Sequence, residues 1–195
     1  MNPSEPILII FTKNPEKGKV KTRLARDVGD DRALEIYKQL LDHTHSVTID
    51  LDCEKHLYYS NHIGRGDIWD LGNYQKFVQQ GQDLGDKMSN AFKSTFEAHN
   101  GSVCIIGSDC LEVNESIIQE AFLKLEQFDF VVGPARDGGY YLLGMKSYFP
   151  QLFYNKTYST PEVFEELVME IKRLDKSFFL LPKLSDVDTL DDLKL

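Results

Sequence analysis

Cysteine is scarce and never paired. The sequence has three cysteines, Cys53, Cys104 and Cys110, and no CxxC spacing. An odd number of scattered thiols does not build a disulfide framework and fits a reducing cytoplasm. Positive charge is in deficit, with a formal net charge of −9. That balance argues against general nucleic-acid binding, which needs a net basic face to displace counterions from phosphates. No apolar run approaches the roughly 20 residues that span a bilayer. The opening MNPSEP is polar, unlike a secretory signal. There is no internal repeat, low-complexity tract or dividing linker, so 1–195 reads as a single domain with room for a sizeable core.

What is present is an alternation of short apolar runs and helical periodicities. Ile7–Phe11, Lys55–Ser60, Phe77–Gln79, Val103–Ile106, Phe128–Val132, Tyr140–Met145 and Ser177–Leu181 read as strands. One helix is expected from a cap at Asp30 or Asp31 to about Val47, and another through Leu84, Met88, Ala91, Phe92 and Phe96. A third is capped by Asn114, and a fourth begins at Thr160-Pro161 with proline at its first position. The glycine-rich stretch 61–74 around Trp69 reads as a loop or short irregular helix. This pattern predicts an α/β fold: one Rossmann-like domain, its sheet mainly parallel, with helices on both faces. Ligands bind such a sheet beyond the carboxyl ends of its strands.

The loop after the first strand gathers Lys13, Lys17, Lys19, Lys21 and Arg23 in an acidic chain. Gly18 permits a tight turn whose amides can cradle phosphate oxygens. Lys21, Thr22 and Arg23 engage the phosphate directly, the two cations by charge and Thr22 by its hydroxyl, while Lys13 and Lys17, nearer the loop tip, steer an anion or stay solvated. The loop lacks the glycine spacing of a Walker A sequence. Two further loops carry aspartate. In Gly107-Ser108-Asp109-Cys110, a carboxylate behind a small serine can reach a hard cation, Mg²⁺ or Mn²⁺, that bridges phosphates; it can also simply make a turn. In Asp186-Val187-Asp188-Thr189, Asp188 either joins the same metal or caps a short helix from Leu190. Cys110 has no histidine or cysteine at ligand spacing and reads as a small buried residue. None of the five histidines is assigned to catalysis.

The strings VKTRLA (20–25), DLGDKM (83–88), IGSDC (106–110), VVGPARDGGYYLLGM (131–145), YSTPEV (158–163) and DVDTLDDL (186–193) together span nearly the whole chain. In that order they resemble a bacterial family of small glycosyltransferase A-type proteins associated with radical-SAM or selenium-domain proteins. That family is similar in fold to nucleotide-diphosphosugar transferases, including the guanylyltransferases of molybdenum-cofactor and phospholactate metabolism. Leu111 stands where the family usually has proline. The resemblance implies a nucleotide-binding sheet with a metal-dependent site in which Asp109 is the metal carboxylate and Asp188 the second. Lys21 and Arg23 would then stabilise charge growing on phosphate oxygens. Asp137 hydrogen-bonds a hydroxyl of the sugar or acceptor, or is a turn residue. Gly138 and Gly139 let backbone approach a ligand, and Asp83 and Gly85 meet the base or ribose or only begin a helix.

The expected function is therefore a metal-dependent transferase using a nucleotide-activated donor, glycosyltransferase-like with a nucleotide-sugar. The alternatives are nucleotidyl transfer to a phosphorylated acceptor, which the many cations of the first loop favour, and a non-catalytic nucleotide-binding module. Expected partners are a nucleotide or nucleotide-sugar and an acceptor that the resemblance does not name. No nucleic acid and no membrane span are expected, and the location is cytoplasmic.

Overall fold

The computed structural model describes residues 5–154, 156–158 and 160–194. One seven-stranded sheet runs through it in the order β3-β2-β1-β4-β6-β5-β7. The strands are β1 (Ile7–Thr12), β2 (Glu54–Tyr59), β3 (Tyr74–Val78), β4 (Val103–Gly107), β5 (Phe130–Pro134), β6 (Tyr140–Met145) and β7 (Phe178–Leu180). β1 pairs in parallel with β2 and β4, β2 with β3, and β5 with β7. Only β6 runs against its neighbours, antiparallel to both β4 and β5. The helices are α1 (Thr22–Val28), α2 (Asp30–Thr48), α3 (Leu84–Ala98), α4 (Glu115–Leu125) and α5 (Val163–Arg173).

Strand alternation sorts the core into two layers. Leu8 and Ile10 of β1 face one side, where they join Leu24, Leu40, Ile118 and Leu125 from α1, α2 and α4. Ile7 and Ile9 face the other side and join Phe92, Leu167 and Ile171 from α3 and α5. Each such fully buried side chain contributes about 1.5–3 kcal/mol by leaving water. All three cysteines are free and buried.

Several boundaries differ from the sequence reading. α2 is capped by Gly29, at φ 82°, with Asp30 and Asp31 in its first turn facing the positive end of the helix dipole. α1 is an additional helix, inserted between the basic loop and α2. α5 begins at Val163 after a Glu162 cap, so Pro161 lies in the preceding turn. Asp83 and Asn114 do cap α3 and α4, accepting from the amides of Asp86 and Ile117 at 2.9 and 3.1 Å. Trp69 is buried on a short 3-10 turn inside the 61–74 loop. No helix among the described residues is long and apolar enough to cross a membrane.

Candidate functional site

β1 and β4 are parallel neighbours in the sheet, and the residues at their carboxyl ends, Thr12 and Lys13 from one and Gly107 to Asp109 from the other, line one crevice. A cleft of about 500 Å³ opens there, lined among others by Lys13, Asp109, Asp137, Asp186 and Asp188. Main-chain bonds tie its loops together. The Val187 amide donates to the Asp109 carbonyl at 2.9 Å, and the Arg136 amide to the Leu184 carbonyl at 2.8 Å.

Lys21 is the centre of this edge. Its Nζ lies 2.8 Å from Asp109 Oδ2 and 3.0 Å from Asp188 Oδ1, and its side chain is 3% exposed. Burial opposes the ammonium, but the two carboxylates outweigh that effect and its pKa is raised. Arg23 is exposed and weakly engaged, with Nη1 3.9 Å from Asp188 Oδ2. No hydrogen bond from the final turn to the Asp188 carboxylate is seen among the described residues; Asp192, inside that turn, reaches back to accept from the amides of Asp188 and Thr189. The Asp188 carboxylate is thereby left facing Lys21.

The remaining predicted residues divide. Lys13, Ser108, Asp137 and Gly139 line the cleft. Asp137 also accepts from the Gly139 amide at 2.9 Å, so it is a turn residue as well as a cleft residue. Gly138 stands at φ 92°, and a Cβ there would lie 2.1 Å from the Pro161 carbonyl oxygen. The close approach it permits is to the start of α5. A Cβ on Gly85 would lie 2.4 Å from the Tyr158 ring, so that glycine seats a tyrosine. Asp83 is engaged as a helix cap. Gly18, at φ 75°, turns the basic loop, and Thr22 is an exposed first residue of α1. Lys17 and Lys19 pair on the surface with Asp31 and Glu16, each at 2.6 Å. Cys110 donates to the Ser185 carbonyl, and burial pushes its thiol up to about 12, which leaves it inert.

The sequence reading missed five participants. Burial, with the charges of Asp109 and Asp137 behind it, pushes the Asp186 carboxyl up to about 7. Tyr37 accepts from the Lys13 amide at 2.8 Å and stands 3.4 Å from Ser108 Oγ, clamping the loops after β1 and β4. Its helical periodicity marked it only as a core residue. Asn14 is buried and accepts from the amides of Asn61 and His62, which fixes the loop after β2. Lys87, inside the DLGDKM string, adds a cation to the cleft wall. Tyr158 also lines the cleft; its hydroxyl is buried beside Tyr140 without a hydrogen bond of acceptable geometry to any described residue.

A separate group lies at the opposite edge of the sheet. Glu54, His56 and His99 place their ligand atoms within 4.8 Å of one another, and such a set could coordinate a divalent metal.

Comparison with known proteins follows the geometry. A bacterial family described as "Uncharacterized protein conserved in bacteria (DUF2064)" matches residues 43–160. No curated protein matches the sequence. A crystal structure from Desulfovibrio desulfuricans G20, described as a candidate nucleotide-diphospho-sugar transferase, is 33% identical with a TM-score of 0.89. The match covers 97% of this chain and 85% of that one. The inositol-1-phosphate CTP transferase from T. maritima is 12% identical with a TM-score of 0.65, over 95% of this chain and 90% of its own. The 4-diphosphocytidyl-2C-methyl-D-erythritol synthase of Anaerococcus prevotii DSM 20548 is 13% identical with a TM-score of 0.58, over 97% and 93%. At those two identities the likeness is one of fold alone. The comparisons support the nucleotide-diphosphosugar transferase-like fold family and not the narrower radical-SAM or selenium-domain association. With a family match over more than half of its length and a relative 33% identical along 97% of it, this chain belongs to the bacterial DUF2064 family, on the nucleotide-diphospho-sugar transferase fold.

Proposed function

We propose that this protein is a metal-dependent transferase that takes its donor as a nucleotide-sugar and passes the sugar to an acceptor. The observation that carries this reading is the buried Lys21 ammonium held between Asp109 and Asp188, two carboxylates that line the cleft. Two carboxylates that already converge on one cation are the hard-oxygen donor set that Mg²⁺ or Mn²⁺ prefers, so the residues fit such an ion. Asp109 and Asp188 would hold it. Charge neutralisation at the leaving diphosphate is what a bound ion supplies there. Lys21, released from its carboxylates, reaches the phosphate oxygens together with Arg23 and Lys13, and their attraction grows as the leaving group gains charge. The apolar wall of Leu84, Met88, Tyr140 and Val163 receives the base or sugar, with the unbonded Tyr158 hydroxyl available to a polar group of the ligand. The 33% identical relative, described as a candidate nucleotide-diphospho-sugar transferase, supports the same donor class. The free, buried thiols agree with a cytoplasmic setting.

The second reading is nucleotidyl transfer from a nucleoside triphosphate. The shared fold with the T. maritima CTP transferase favours it. Against it, the cation-rich loop that argued for a triphosphate has Lys17 and Lys19 engaged in surface ion pairs. A thermal-shift panel of nucleoside diphosphates, nucleotide-sugars and triphosphates, with and without Mg²⁺ or Mn²⁺, separates the two, because a ligand that binds only the folded state raises Tm by mass action. The proposal expects metal-dependent stabilisation by a nucleotide-sugar and its diphosphate. Stabilisation by a triphosphate alone would replace it with nucleotidyl transfer. Stabilisation with no turnover of any donor would make the chain a binding module.

A further inference from the structure

β2 begins and α3 ends at the edge of the sheet away from the cleft, and there Glu54, His56 and His99 converge. His56 Nε2 lies 3.0 Å from Glu54 Oε1, and His99 Nδ1 lies 3.7 Å from Glu54 Oε2. We propose that these three side chains form a binding site for a zinc-type divalent transition metal, separate from the nucleotide cleft, which joins the start of β2 to the carboxyl end of α3.

Four ligands placed tetrahedrally at about 2.0–2.1 Å from zinc stand about 3.3 Å from one another. The 3.0 and 3.7 Å separations are to the two different oxygens of Glu54, and one ligand atom from each of the three residues lies within 4.8 Å of the others, so modest side-chain rotation closes the set on an ion. Three protein ligands leave the fourth position to water. Two imidazoles and one carboxylate select zinc-like ions over magnesium, which prefers oxygen. The surroundings hold the ligands in place. Thr95 Oγ1 lies 3.5 Å from His56 Nδ1, so it can accept that N–H and leave the Nε2 lone pair directed at the site. The Gln75 amide donates to Glu54 Oε1. Phe77 packs against the His56 ring at 5.1 Å between centroids. His56 is buried, so its ring is held in place by its surroundings. His99 is the C-cap of the 15-residue α3, where the helix dipole favours a cation. The alternative is a plain His56–Glu54 hydrogen bond with His99 nearby by chance.

Equilibrium dialysis of the chelator-stripped full chain against zinc, with excess Mg²⁺ present to occupy oxygen sites, distinguishes them. The expected result is one zinc per chain, a rise in Tm with zinc, and visible ligand-field bands of a four-coordinate nitrogen-containing site when Co²⁺ replaces it. His99→Ala and Glu54→Gln should each weaken zinc uptake by about tenfold or more. Because His99 is partly exposed, the metal-free His99→Ala chain should melt like the metal-free wild type, and its nucleotide-induced shift should be unchanged. No zinc retained by the wild type, or equal uptake by wild type and His99→Ala, would overturn the proposal.

Discussion

Lys21 has an unusual backbone as well as an unusual setting. It stands in the left-handed region at φ 46° and ψ 45°, immediately before α1. A non-glycine residue is held there at a cost of about 1–2 kcal/mol, and strain of this kind gathers at functional sites. Here it turns the side chain inward, away from the surface ion pairs of Lys17 and Lys19, and onto Asp109 and Asp188. The same crowding of charge acts on Asp186, which burial and the neighbouring Asp109 and Asp137 hold up at about 7 against an ordinary 3.8. Between about pH 4 and 7 the folded chain therefore keeps a proton that the unfolded chain has released. Asp186 contributes stability in full below that window, and the contribution is lost as pH rises through 7. In the chelator-treated protein, Tm should fall over this range more steeply for the wild type than for Asp186→Asn. Parallel Tm profiles for the two would mean that Asp186 ionises like an ordinary surface carboxylate.

At the scale of elements, the turn between β5 and β6 decides how α5 meets the cleft. Gly138 N–H donates to the Ala135 carbonyl at 3.3 Å, and the Gly138 carbonyl accepts from Phe164 at 2.9 Å, so the turn and the first turn of α5 are bonded together. Gly138→Ala adds a Cβ at φ 92° against the Pro161 backbone. It should destabilise the protein by roughly 2–4 kcal/mol from strain and overpacking together. Because Thr160 and Val163 line the cleft, it should also weaken ligand binding. Chemical denaturation checks the first effect; an unchanged midpoint would mean that α5 moves aside freely. Most elements were legible from local pattern, as in α3, where Met88, Ala91 and Phe92 repeat at helical spacing. α1 was not, because its seven residues bury only Leu24 and carry no periodicity to read. Nor was the direction of β6: Tyr140–Met145 is apolar on both faces, as a parallel or antiparallel central strand would be.

At the scale of the molecule, the loops that carry Lys21, Asp109, Asp137 and Asp188 were legible as candidates because each leaves a strand or enters a helix at a polar break. Their assembly was not, since Lys21 and Asp188 meet across a separation of 167 positions. Asp186 was hidden for the same reason: its raised pKa comes from burial in the folded chain and, behind that, from carboxylates of other loops. Tyr158 and Gly85 likewise fit together only in the folded chain. The central claim is that Lys21, Asp109 and Asp188 form one phosphate-and-metal site in which the lysine holds the cation's place until a ligand draws it away. Calorimetric titration of Mn²⁺, and of the nucleotide that stabilises the wild type most, into the wild type, Lys21→Met and Asp109→Asn tests this directly. Lys21→Met should lose about tenfold to a hundredfold in nucleotide affinity, the range for a charge-assisted hydrogen bond, while taking up Mn²⁺ without nucleotide at least as tightly as the wild type. Asp109→Asn should lose both, and its ligand-free Tm should fall as well, because the buried Lys21 ammonium then keeps Asp188 as its one charged partner. Three indistinguishable sets of titrations would contradict the claim and leave the cluster a structural ion pair.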